Sequence, residues 1–309
     1  MEHSAAEVRS DVLGRLASLR QHRRGGQRSP HKPLLVLLAL GRLRATGSSE
    51  LPWSAAEPAL AELISEFGPP SETGPAQSAA YPFTRLRADG IWVLDQDVQM
   101  DLVRPLADRH VVGRFEDSVE AALRADPELV RSAARSLVLS NFPDTIAADV
   151  LEAVGLDAES VLGLAPDADS VPLPPAGERR RDPAWRSAVL QAWDRQCAFC
   201  GYDGQIGGAS AGIDAAHVRW FSFDGPDALD NGLALCVLHH KLFDLGVLGL
   251  DAGLRVLVSA VFNARTPSGR AVYELHMREL KARPGTVMPA AGHVSWHARE
   301  VFKGKALTA

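Results

Sequence analysis

The sequence predicts an α+β chain in two parts: a mainly helical N-terminal domain with a small β-hairpin over residues 1–164, and a C-terminal domain over 183–309 gathered around metal ligands. Three observations predict it. Apolar residues recur at helical spacing through most of the first half. A Pro-rich, polar segment, Ala165 to Gly177, breaks that pattern and reads as part of a semi-rigid linker over 165–182. All three cysteines and three of the ten histidines then crowd between Cys197 and Asp244.

Composition narrows the class of function. No apolar run approaches the roughly 18 residues needed to span a bilayer, and the polar start Met1 to Ser10 does not resemble a secretion signal. A cytoplasmic protein with no membrane partner is expected. The formal charge of -5 does not argue against DNA, because phosphate affinity depends on local clusters and not on the sum. Arg9, Arg15, Arg20, Arg23, Arg24, Arg28, Lys32, Arg42 and Arg44 face a single acid in that interval, Asp11. They predict a basic surface far along the chain from the cysteines.

From Ala5 to about Gln21, Val8, Val12, Leu13, Leu16 and Leu19 predict an amphipathic helix, ended by Arg23-Arg24-Gly25-Gly26. Ser29 is a candidate N-cap and Pro30 suits the first turn of the next helix. That helix runs into the unbroken apolar stretch Leu34 to Leu40, so it should be buried on every side. His31 and Lys32 sit at its positive end and, with free backbone amides, make a candidate anion site. Leu51 to Phe67 reads as helix and Gly68 to Ser78 as loop. Tyr81 to Leu86 and Ile91 to Leu94 read as two strands turned at Ala88-Asp89-Gly90. A short basic stretch with Arg104, Arg109, His110 and Arg114 follows. Helices are expected over Asp117 to Arg124, Pro127 to Leu139 and Asp144 to Val154, the last opened by Asn141-Phe142-Pro143.

The strings His31 to Leu40, Tyr81 to Leu86 and Asn141 to Pro143 are similar to the sulfur-binding domain found in front of McrA-type nucleases, over about residues 8–160. The resemblance implies recognition of double-stranded DNA carrying phosphorothioate, in which sulfur replaces a non-bridging phosphate oxygen. Sulfur is larger and less well hydrated than oxygen, so a shallow apolar pocket gains from contact with it. Tyr81 and Pro82, with Ala80 or Phe83, would form that pocket. His31, Lys32 and an arginine, either Arg85 or Arg109, would hold the rest of the phosphate and read nearby base edges.

Beyond the linker, Glu178 to Arg181 is a basic run that either touches DNA or is a solvated face. Trp185, Val189, Leu190 and Trp193 predict a helix from Pro183 to Asp194. Cys197/Cys200 and Cys236/His239 share the two-residue spacing that points a pair of side chains at one ion, and together make a closed Cys3His set for structural zinc. An odd cysteine count without a secretory signal disfavours a disulfide framework. His217, Asn231 and His240 remain, with Asp214 and Asp244 on either side.

Asp214 to His217, Asn231 to Leu235 and Cys236 to Asp244 resemble the HNH endonuclease motif of the McrA-like branch, in which a ββα-metal element carries a zinc knuckle. The resemblance covers about the last 120 residues. It implies that His217 is the general base, that Asn231 braces the loop orienting it, and that His240 binds a catalytic divalent cation such as Mg2+ or Mn2+. Many such enzymes place an acidic ligand directly before the base, where this chain has Ala216, so the carboxylate must be Asp214 or Asp244. The spacing from Cys236 selects His239 for zinc and leaves His240 for catalysis; exchange of the two is the alternative. Val247 to Leu250 and Leu254 to Val258 predict a strand pair. His297, beside Trp296 in the tail, is expected to be structural.

These readings combine into a modification-dependent restriction endonuclease acting as a homodimer. Two alternatives remain at this stage. One is an HNH nuclease whose first domain reads methylated cytosine through Tyr81, Phe83 and Trp92. The other is a zinc-stabilised DNA-binding regulator without activity.

Overall fold

The computed structural model describes residues 5–20, 23–24, 27–163 and 182–308, and the chain divides into two compact units, Met1–Glu178 and Arg179–Ala309. The expected linker, save Asp182, and the basic run Glu178 to Arg181 lie outside the described residues, as do Gly25 and Gly26. None of the described helices is long and apolar enough to cross a membrane.

The first unit runs α1 (Ala5–Ala17), β1 (Arg23–Arg24), β2 (Gln27–Arg28), α2 (His31–Thr46), β3 (Leu51–Pro52), α3 (Trp53–Phe67), α4 (Pro75–Arg85), β4 (Trp92–Leu94), α5 (Val103–Asp108), β5 (Val112–Phe115), α6 (Asp117–Ala125), α7 (Pro127–Asn141), α8 (Asp144–Ala153) and α9 (Ala158–Leu162). Helix α2 is its centre: Leu34, Leu35, Val36, Leu37, Ala39 and Leu40 are fully buried, each aliphatic side chain contributing about 1.5–3 kcal/mol. Gly41 lets α2 approach the end of α8, since a Cβ there would lie 1.8 Å from the Val154 carbonyl oxygen. The helix begins one residue later than its sequence suggests. Pro30 is the N-cap, and Ser29 Oγ accepts the His31 N–H at 3.4 Å from one position further out.

The expected hairpin of Tyr81 to Leu86 with Ile91 to Leu94 does not form. Residues Pro75–Arg85 are helix and Leu86–Asp89 a 3-10 turn closed by Gly90, at φ 72°. Pro82 and the aromatic pair around it favour extended backbone locally. However, Ala79, Ala80, Phe83 and Leu86, all fully buried, fall on one helical face. Packing that face outweighs the roughly 3 kcal/mol cost of an interior proline. Strand β4 pairs instead with β5, in an antiparallel three-stranded sheet ordered β3-β5-β4 with Trp92 opposite Phe115. Trp53, Phe83, Trp92 and Phe115 pack edge to face in a chain with centroids 5.1, 5.8 and 5.9 Å apart.

The second unit contains α10 (Pro183–Ala192), β6 (Gln205–Ile206), β7 (Ala209–Ser210), β8 (Ile213–His217), β9 (Gly232–Cys236), α11 (Val237–Asp244), β10 (Leu248–Leu250), β11 (Val256–Val258), α12 (Pro267–Arg270) and α13 (Ala291–Glu300). Strands β8 and β9 pair antiparallel from Ile213 opposite Cys236 to His217 opposite Gly232, and α11 follows without a gap. This is a ββα element. Its core gathers Trp185 and Val189 of α10, and Trp193 just after it, with Phe199, Ala216, Leu233, Leu235 and Phe243.

Candidate metal centre and active site

Cys197 and Cys200 lie on the tight turn after α10, where the Gly201 N–H donates to the Cys197 carbonyl at 2.8 Å and Gly201 takes φ 79°. The Ala198 N–H donates to the Ala234 carbonyl at 2.7 Å and so docks this turn on β9. Cys236 ends β9 and His239 sits in the first turn of α11. The ligand atoms of Cys197, Cys200, Cys236 and His239 lie within 4.8 Å of one another. His239 Nδ1 is 3.4 Å from Cys197 Sγ and 3.3 Å from Cys236 Sγ. A tetrahedral zinc ion sets sulfur and nitrogen about 3.5 Å apart, so this donor set fits that ion. Hydrogen bonds from Cys200 and Cys236 drive the Cys197 thiol pKa down. Burial works against protonation of His239, but Cys197 and Cys200 outweigh it and push its pKa up to about 9.

His240, the next residue on α11, is turned away from the cysteines by the roughly 100° step of the helix. Its Nε2 is 3.3 Å from Asp244 Oδ2 and its Nδ1 3.9 Å from Asp214 Oδ2. The two acids differ in surroundings. Asp244 is buried, and its other oxygen accepts the Trp220 indole N–H at 3.0 Å. Asp214 is half-exposed on β8, and the hydrogen bond with His240, backed by Arg186, holds its carboxyl below the usual carboxylate range.

His217 ends β8 with Nε2 2.7 Å from Asp227 Oδ1, its ring stacked on Trp185 at 3.8 Å and 16°. Asn231 is fully buried. Its side chain accepts the Arg219 N–H at 2.8 Å and donates to the carbonyls of Arg219 and Pro226, both at 3.0 Å. It therefore ties both ends of the loop that leaves His217 and returns to β9. Sequence singled out neither Asp227 nor Trp185 as a site residue, Trp185 being named only for its helical spacing. Asp227 is one of many loop acids, and Trp185 carries the same helical signal as any core residue.

In the first unit, the Lys32–Asp89 pair joins the start of α2 to the turn after α4. Asp89 is buried and also accepts the Arg20 backbone N–H at 2.8 Å, so the Lys32 charge is compensated within the fold. A phosphate at Lys32 would share the ammonium with Asp89, which already takes one of its three N–H donors. Arg85 is likewise engaged: Asp101 takes its Nε at 2.7 Å and Nη2 at 2.5 Å, and the guanidinium lies 4.7 Å over the half-buried Tyr81 ring. The hydrogen bond to Asp101 raises the Arg85 pKa. Arg109 is exposed and donates to the Asp97 carbonyl at 3.2 Å. Pro82 and Ala80 are buried on α4, beside Tyr81. Phe83 is a core residue and offers no surface to a ligand, and Trp92, 1% exposed, is buried with it. These two do not form an aromatic cage for a methylated base.

His297 is structural, as its place in the tail suggests. It is buried, stacks on Phe243 at 3.7 Å, and donates from Nε2 to the Phe243 carbonyl at 3.0 Å. Burial pushes its pKa down from 6.5 to about 3. The neutral ring is favoured in the fold, so its stabilisation is complete above pH 6.5 and is lost as the pH falls toward 3. Acid melts should show stability falling with pH below 6.5 through this group. His297→Gln should remove that part of the slope.

Residues 9–159 match the family of ScoMcrA-like DNA sulfur-binding domains, and residues 197–251 match an HNH endonuclease family. Among solved structures, the chain is similar to the sulfur binding domain of ScoMcrA complexed with phosphorothioated DNA. Identity there is 26% with a TM-score of 0.42, over 48% of this chain and 97% of that one. It is similar to the corresponding domain of SprMcrA complexed with phosphorothioated DNA, at 22% identity and TM-score 0.42, over 50% and 98%. The type IV phosphorothioation-dependent restriction endonuclease ScoMcrA is matched at 25% identity and TM-score 0.41, over 65% of this chain and 34% of that one. No curated protein matches the chain. The chain therefore carries, one after the other, a segment that matches the ScoMcrA-like DNA sulfur-binding domains over 9–159 and a segment that matches the HNH endonucleases over 197–251.

Proposed function

We propose that this chain is a cytoplasmic restriction endonuclease that binds phosphorothioated duplex DNA through its first domain, about 1–164, and hydrolyses phosphodiester bonds through its second, about 183–309. The observation that carries it is the presence on one chain of a sulfur-binding domain and a ββα element bearing His217, Asn231 and His240. A non-catalytic regulator has no need of a histidine braced by a carboxylate, a ring stack and a buried asparagine.

His217 is the general base: with its proton on Nε2 toward Asp227, the lone pair on Nδ1 takes the proton of the attacking water. Asn231 holds the loop that carries Asp227. Zinc belongs in the Cys3His cluster, and Mg2+ or Mn2+ at His240 and Asp214. Both oxygens of Asp244 are occupied, by Trp220 and His240. This makes Asp244 the residue that orients His240, and the half-exposed Asp214 the ligand. His240 and Asp214 would hold a divalent cation, whose chemistry there would be to polarise the scissile phosphate and offset its developing charge. In the first domain, Tyr81 beside Pro82 is the apolar contact for sulfur, with His31, Arg85 and Arg109 for the neighbouring phosphate oxygens and bases. One HNH site cuts one strand, so a double-strand break calls for two copies, and a homodimer supplies them.

Two duplexes of one sequence, differing only in a single sulfur, test the reading. The unmodified duplex should be cut about 10- to 100-fold more slowly, from the roughly 1–3 kcal/mol that one discriminating contact supplies. Equal rates would sink the reading.

A further inference from the structure

We infer that Asp227 is a positioning residue for His217 and that the first turn of α10 completes the clamp; the inference rests on His217 being the general base. Both side chains are largely shielded, at 11% and 13% exposure, and meet at 2.7 Å. The other oxygen of Asp227 accepts the backbone N–H of Asp182 at 2.8 Å. Asp182 is the N-cap of α10, its own carboxylate accepting the Ala184 N–H at 2.8 Å. One turn on, Trp185 lies flat on the His217 ring and donates its indole N–H to the Ala228 carbonyl at 3.0 Å. Asp227 and Ala228 are thus both pinned to α10, and His217 is held edge-on by one and face-on by the helix itself.

Gly232 makes the approach of α10 feasible. It lies directly opposite His217 in the ladder, and a Cβ there would fall 2.5 Å from a Val189 methyl and 3.3 Å from the Trp185 ring. Anchoring the loop would need only the contact with Asp182. The second carboxylate oxygen instead meets the imidazole, which selects the Nε2–H tautomer, leaves Nδ1 as the acceptor, and stabilises the imidazolium formed when the water proton arrives. Trp185 holds the plane of the ring, so the lone pair keeps its direction.

Asparagine at 227 reverses this logic while keeping the shape. Its one carbonyl oxygen satisfies Asp182, and its amide then donates to Nε2 and forces the proton onto Nδ1, the wrong tautomer for a base. The experiment compares full-length wild type, Asp227→Asn, Asp227→Glu and His217→Ala on a phosphorothioated duplex. It reads single-turnover rate at saturating DNA, DNA affinity, zinc content, melting temperature and the downfield imidazole proton resonance of His217. Asp227→Asn should lower the rate about 10²- to 10³-fold, a large part of what a general base supplies. Affinity, zinc and melting temperature should hold, and the downfield resonance should vanish. Asp227→Glu should restore part of the rate. A wild-type rate in Asp227→Asn beside an inactive His217→Ala overturns this inference alone, as does a loss that only follows lost zinc or melting temperature. An active His217→Ala overturns the general-base reading instead.

Discussion

Replacing His217 with alanine should reduce single-turnover cleavage by at least about 10²- to 10⁴-fold, the range that a positioned general base contributes, while DNA affinity stays at the wild-type level. The two outcomes separate because the groups concerned are in different units: the candidate DNA contacts Tyr81, Arg85 and Arg109 precede residue 164, and His217 ends β8. The fold should survive. His217 gives up its hydrogen bond to Asp227 and its ring contacts with Trp185 and Phe221, each worth about 1 kcal/mol, against a core in which Leu233, Leu235, Phe199 and Phe243 are fully buried. Gel-shift titration, melting and rate together decide. Cleavage within a few-fold of wild type would remove His217 from the role of base.

Cys200→Ala, or chelation of zinc, should have the largest structural effect. A structural zinc site supplies about 10–16 kcal/mol of binding energy, comparable to the whole 5–15 kcal/mol stability of a domain. The four side chains join two segments, the turn after α10 and the junction of β9 with α11, which are also linked by the main-chain bond from Ala198 to Ala234. Losing one thiolate should therefore unfold the second unit and abolish cleavage, with DNA binding by the first unit retained. Trp185 and Trp193, buried in the same core as Cys197 in the wild type, report this directly through a red shift of tryptophan emission. A variant that lacks zinc but keeps a cooperative melt and wild-type emission would show that the cluster does not hold the unit together.

Features coded by short spacings were legible before any coordinates. The Cys-x-x-Cys and Cys-x-x-His pairs, the helix from Pro183 and the all-apolar stretch Leu34 to Leu40 each depend on neighbours a few residues apart. Local geometry then carries the argument. Position 216 shows where such reading stops. With alanine before His217, sequence left Asp214 and Asp244 equal as candidate ligands, and the fold gives them different surroundings: Asp244 is enclosed with both oxygens taken, and Asp214 is half-exposed.

The second helix of the aromatic chain, α4, is where local preference misled. Tyr81-Pro82-Phe83 looks extended by itself, but Phe83 fits between Trp53 and Trp92 only from a helix. The pairing of Lys32 with Asp89 and of Arg85 with Asp101 likewise depended on which acids the fold brought close. By itself the sequence determined the two-part plan and the Cys3His spacing, because those are set by composition and by neighbours along one or two adjacent elements, and its likeness to the HNH motif implied the ββα frame. Only the tertiary structure decided which carboxylate meets each histidine, which basic residues are already neutralised, and that Trp185 lies on His217. Those contacts join segments ten to sixty residues apart, and packing of the intervening chain, not its spacing, brings them together.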